Sequence, residues 1–127
     1  MLMKKIDFQF ILIHHNMEFK AISRNKEVVN FAVIENTIQA IKLNLFSGFS
    51  SLTRVPIPQS VTLLKKGCFS GCSSIREIAL PESILEIGDN AFANCIMLAE
   101  IIIPNSVKTI GSNVFKCVIP ELITSIS

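Results

Sequence analysis

LPESILEIGDNAFANCIMLAEIII, residues 80–103, decides how the chain folds. Moved back by 23 residues it overlays IPQSVTLLKKGCFSGCSSIREIA from Ile57, and moved forward it overlays IPNSVKTIGSNVF from Ile103. The same step separates Pro58, Pro81 and Pro104, and again Phe69, Phe92 and Phe115. A fixed period of this size marks a solenoid, in which each copy buries its apolar side against the next.

The copy before these, IENTIQAIKLNLFSGFSSLTRVP (34–56), keeps the register, with Glu35, Lys42 and Leu45 where Pro, Gly and Ala are usual. Two strong copies follow at 57–79 and 80–102. After Ile103 the pattern holds to Phe115. IPELITSIS (119–127) then reads as the opening of another copy, only 16 residues after Ile103. Residues 103–118 are therefore read as a shortened copy lacking its LxxIxI strand, and 119–127 as a partial one. Residues 1–33 read either as an N-terminal cap or as a degenerate first repeat. The first reading takes a strand, a turn at His14-His15-Asn16 and a second strand. The second overlays AISRNKEVVNFAV (21–33) on AFANCIMLAEIII (91–103).

Each copy has a mechanical reading. Leu98-x-x-Ile101-x-Ile103 is a short strand whose Ile101 and Ile103 point inward together. Pro104 ends it, since proline has no N–H to donate. Ser60, Ser83 and Ser106 are expected to bond local backbone as turn residues. Val107 and Ile110 are expected to face inward. Gly88 and Gly111 are expected to supply a positive φ. Asp89 or Ser112 is placed to cap a single helical turn carrying Phe92 or Phe115 inward.

The pattern IPxSVxxIGxxAFxxCxxLxxI, best kept in LPESILEIGDNAFANCIMLAEI (80–101), resembles the BspA-type leucine-rich repeat, and the match covers residues 34–127. The resemblance implies a β-rich, right-handed solenoid. A parallel sheet would line one face, with short turns or single helical turns on the other. It also implies a surface-associated protein of the kind found in bacteria and in parasitic or commensal protists, linked to adhesion and protein binding.

Composition narrows the classes. The net charge is +2, from 12 basic and 10 acidic residues spread along the chain, so no basic block points to nucleic acid. Nine Phe stand beside no Tyr and no Trp, which assigns the aromatic content to the core and argues against stacking on bases or sugars. No uncharged apolar run reaches the roughly 18 residues of a membrane span. The start, MLMKKIDFQFILIHH, has two Lys before an apolar run, but Asp7 interrupts the run and no small-residue cleavage site follows. Two locations stay open: the cell surface, which the resemblance implies, and the cytoplasm, which the lack of a convincing signal favours.

The four cysteines do not form a disulfide pattern. Cys72 and Cys95 share a repeat position with Phe49, and Cys68 stands in the Ala91 slot, so these are apolar positions filled by reduced thiols. Cys68 and Cys72 are not spaced as a redox CxxC pair. His14 and His15 point to opposite faces of a strand and cannot chelate one ion together. No Ser, Cys or His stands in a nucleophile context, so no catalytic, cofactor or metal residues are assigned. The Phe46–Phe69–Phe92–Phe115 column reads as a core spine rather than a recognition ladder.

The candidate functional surface is the outward face of the repeat strands. Alternation assigns to it Arg54 and Pro56, Glu77 and Ala79, and Glu100 and Ile102, with Thr53, Arg76 and Ala99 at its edge. Arg54 and Glu77 are placed to pair across coils. The strip amounts to roughly 250–350 Å², against about 800 Å² from each partner in a stable interface. Tight binding therefore needs added loops, many copies, or self-association, for which the solenoid ends are available. The function expected is a non-catalytic protein-binding module. The alternatives are an intracellular scaffold or adaptor repeat, and a structural fragment without its own partner.

Overall fold

The computed structural model describes residues 10–13, 27–119 and 123–125. Among these residues eight short strands follow in chain order: β1 (Phe10–Ile13), β2 (Phe31–Ile34), β3 (Ala40–Ile41), β4 (Leu63–Leu64), β5 (Glu86–Ile87), β6 (Ile101–Ile103), β7 (Thr109–Ile110) and β8 (Ile123–Ser125). Every pairing is parallel. Parallel neighbours need a long connection between them, and the rest of each coil supplies it. β3, β4, β5 and β7 form one sheet at a constant step: Ala40 lies opposite Leu63, Leu63 opposite Glu86, and Glu86 opposite Thr109.

The unbroken ladder thus runs under the VxxI part of the copy. The LxxIxI part, where the strand was expected, holds among the described residues only the pairs β1–β2 and β6–β8 and two isolated bridges, Phe31–Arg54 and Glu77–Glu100. Prolines 56, 58, 81 and 104 remove backbone donors on that side of the coil.

The register departs from the sequence expectation at both ends of the stack. β8 lies against β6 with Ile101 opposite Ile123, a step of 22. The strand thought to be missing after Val118 is therefore present, built from residues read as a new copy. Val118 is buried in the slot of Phe49, Cys72 and Cys95, so the deletion is one residue and falls between Val118 and Ile123. At the other end, Phe31 lies opposite Arg54. The overlay of Phe31 on Ile101 is one residue out, and Ala32 and Ile34 face the core instead. Ile13, opposite Ile34, is buried too. His14–Asn16 and the strand expected beyond them lie outside the described residues.

The phenylalanine segments are turns, and among the described residues no helix forms. Hydrogen bonding explains why. In one coil Ala91, Ala93 and Cys95 donate to the carbonyls three residues back, at 3.1–3.2 Å. Between them, Asn90, Phe92 and Asn94 donate instead to Ser112, Val114 and Lys116 of the next coil, at 2.7–3.0 Å. A helix would need every amide for itself. Asn90 and Asn94 also hold φ of 60° and 63°, left-handed values that a right-handed helix excludes.

Three residue types, glycine, serine and aspartate, play different parts from those expected. Gly88 and Gly111 do not have positive φ. A Cβ at Gly88 would stand 2.7 Å from Lys66 N, and one at Gly111 would collide with Asp89. They are glycines because coils approach closely there. Two of the three serines bond the neighbouring coil rather than local backbone: Ser83 Oγ donates to Val61 O at 2.6 Å and Ser106 Oγ to Ile84 O at 2.7 Å, while the buried Ser60 Oγ has no partner among the described residues. Asp89 does not cap its own turn. Its carboxylate accepts from Ser112 N of the next coil at 2.8 Å.

Inside the coils, Phe46, Phe69, Phe92 and Phe115 stack nearly parallel, with centroids 5.3, 5.4 and 5.8 Å apart. Phe49 meets Phe46 edge-on at 5.4 Å. Leu52, Ile75 and Leu98 make a second buried column, and Ile41, Leu64 and Ile87 a third. Ile110 continues the third column but is 49% exposed, because β7 ends the sheet among the described strands.

Candidate protein-binding face

Inward and outward residues alternate along the LxxIxI segments because a strand turns successive side chains to opposite sides. Val55, Ile78 and Ile101 are buried. Around them Thr53, Arg54, Pro56, Arg76, Glu77, Ala79, Ala99, Glu100 and Ile102 are all exposed. These nine residues occupy one side of three successive coils.

The side is not flat. Thr53 N donates to Asn30 O at 3.0 Å, and Ala99 N to Arg76 O at 2.7 Å. Between those two contacts, no backbone hydrogen bond joins residues 53–56 to 76–79 among the described residues. A cleft of about 660 Å³ opens there, with Thr53, Arg54 and Pro56 on one wall and Arg76, Glu77 and Ala79 on the other. A second cleft, of about 270 Å³, shares Glu77 and Ala79 and extends to Glu100 and Ile102. Eight of the nine residues line one cleft or both; Ala99 lines neither.

The expected pairing of Arg54 with Glu77 does not form, and among the described residues no ion pair joins them. Arg54 instead places its guanidinium 5.6 Å from the ring centroid of Phe31, its bridge partner one coil back. The coils part between Arg54 and Glu77, so the aromatic face is the nearer partner. Glu77 and Glu100, by contrast, stand opposite each other in a bridge. With Glu82 they put three carboxylates around the smaller cleft. Glu82 and Phe31 were not assigned to this face from sequence. Glu82 sits past Pro81, in what reads as a turn, and Phe31 was hidden by the one-residue register error.

The thiols offer no reactive centre on this face. Cys68, Cys72 and Cys95 are buried and unpaired. Burial pushes all three upward from the ordinary 9.0, Cys95 to about 12, and keeps them protonated. Cys72 and Cys95 donate to Phe46 O and Phe69 O of the previous coil, at 3.1 and 3.2 Å. Among the described residues no group of three or more His, Cys, Asp or Glu is arranged to hold a metal ion. His14 and His15 lie outside the described residues. No helix among the described residues is long and apolar enough to cross a membrane.

Residues 18–126 match the BspA type leucine rich repeat region (6 copies), and the chain belongs to that family. Two solved structures are similar. A leucine rich repeat protein of T. pallidum aligns at TM-score 0.69 and 30% identity over 71% of this chain. One from Bacteroides ovatus aligns at TM-score 0.74 and 27% identity over 89% of it. The chain spans 42% and 30% of the lengths of those two proteins. No curated protein matches it. A parallel-stranded leucine rich repeat fold, and with it a repeat module of the protein-interaction type, follow from the family and from these neighbours.

Proposed function

We propose that the chain is a non-catalytic protein-binding module of a cell-surface or adhesion-type protein, and that its binding face is the side holding Thr53, Arg54, Pro56, Arg76, Glu77, Ala79, Ala99, Glu100 and Ile102. The supporting observation is that these residues are exposed on one side of three coils around two clefts that share Glu77 and Ala79. The face is mixed in charge, with both Arg54 and Arg76 beside Glu77 and Glu100, which favours selective over indiscriminate attraction. Self-association through the solenoid ends would add contact area to so small a strip.

The test has two parts. Epitope-tagged chain on intact cells is exposed to external protease: the surface reading expects the tag to be cut, and full protection contradicts it. Affinity capture with the native chain and with Glu100→Arg then tests the face. The proposal expects the captured set to change, and an identical set contradicts it. The alternative, an intracellular scaffold, draws support from the three buried reduced thiols, which suit a reducing compartment. Under that reading the tag stays protected while Glu100→Arg still alters capture.

A further inference from the structure

The opening between residues 53–56 and 76–79 is local. The same two coils are joined on their other sides: Thr62 N donates to Gln39 O at 2.9 Å, Lys65 N to Ile41 O at 3.0 Å, and Gly48 N to Ser70 O at 2.8 Å. The stack has not slipped; it parts along one side. At that column the step of 23 residues is bonded before the opening, from Thr53 to Asn30, and after it, from Ala99 to Arg76. The bond missing between them is Arg76 N to Thr53 O. Val55 N, equivalent to the Ala32 amide that donates to Arg54 O at 3.0 Å, also finds no acceptor among the described residues, as does Ile78 N one coil on, so the absent Arg76 bond is the feature specific to this coil pair.

An unpaired strand edge is a template for another strand. Here two such edges face each other across a cleft of about 660 Å³, within the roughly 300–1,000 Å³ range of ligand sites. Its ends differ in chemistry. Arg54, Arg76 and Glu77 make one end charged, with one more cation than anion, and Val55, Pro56, Ile78 and Ala79 make the other apolar. Arg54 already lies over Phe31, whereas Arg76 forms no ion pair among the described residues.

From this we infer that the cleft takes an extended segment of a partner protein, inserted as a strand between the two coils. An acidic side chain of the segment meets Arg76, and apolar side chains lie against Pro56 and Ala79. Main-chain bonds to both walls supply the affinity and the end chemistry supplies the selectivity, as in other strand-addition sites. The inference rests on reading this side as a protein-binding face and names what that face binds.

The test pans the full chain against a phage-displayed library of random nonapeptides and resynthesises the enriched sequences. Expected are peptides with Asp or Glu next to alternating apolar residues. Arg76→Glu weakens them by about tenfold or more, Arg76→Gln weakens them less, and N-methylation of alternate peptide amides abolishes binding. Peptide binding also slows amide exchange at Val55 and Arg76. No enrichment over a blank surface overturns the inference, as do peptides indifferent to N-methylation. Peptides weakened by Glu100→Arg but not by Arg76→Glu overturn the insertion while leaving the protein-binding face intact.

Discussion

Two columns of left-handed residues set the shape of every coil. Asn44, Gly67, Asn90 and Asn113 hold φ of 55°, 66°, 60° and 57°, and Gly48, Gly71, Asn94 and Cys117 hold 79°, 78°, 63° and 68°. Glycine and asparagine tolerate this region; for other residues it costs roughly 1–2 kcal/mol. Cys117 is the member that breaks the rule. Cys117→Gly should raise stability by about 1 kcal/mol, seen as a higher urea midpoint. An equal or lower midpoint would contradict the left-handed assignment. Gly88 and Gly111 were expected to serve as the left-handed residues, because a glycine in a turn suggests positive φ. The recurrence of Asn or Gly at steps of 23 was the better signal. In any one copy that signal is weak, because asparagine looks like any polar turn residue. That Gly88 faces Lys66 N of the previous coil is invisible in a single copy.

At the level of the element, each column of the core is one amino-acid choice repeated, and the cysteines show what the slot demands. Position 49, 72, 95, 118 holds Phe, Cys, Cys and Val, all buried. Reading that slot as apolar from Phe49 alone was enough to set aside a disulfide framework. The buried thiols tie stability to alkaline pH. Burial raises the folded value of Cys95 from 9.0 to about 12, so its contribution is full below pH 9 and is lost as pH rises through that window. The loss is about 1.4 kcal/mol per pH unit for each such thiol. The urea midpoint should therefore fall between pH 9 and 10.5, and fall less steeply in Cys95→Val. Parallel slopes in the two proteins would contradict this. The strands were less legible. LxxIxI alternates as a strand should, yet the continuous ladder runs through Ile41, Leu64, Ile87 and Ile110, whose VxxI spacing carries too few residues to show a period of two. The exposure of the nine residues followed from alternation. The cleft among them did not, because bonding between coils is a property of two copies and of the prolines between them.

For the whole molecule, support passes only between neighbours. Phe92 has a ring on both sides and is fully buried, whereas Phe115 has one and is half-buried. Phe92→Ala should cost on the order of 3–5 kcal/mol and split the unfolding transition, and Phe115→Ala should cost clearly less. Equal thermal shifts in the two variants would argue against the stack. The proposed site depends on a coil pair that is bonded along its ladder and at its phenylalanine turns but unbonded between residues 53–56 and 76–79 among the described residues. Residue-resolved amide exchange on the native chain measures that most directly. Thr53 and Ala99, bonded to Asn30 and Arg76, should exchange slowly, while Arg76 and Val55 exchange at least about a hundredfold faster, as unbonded amides do. Protection of Arg76 equal to that of Thr53 would mean that the ladder is closed there, and that no site lies between the coils.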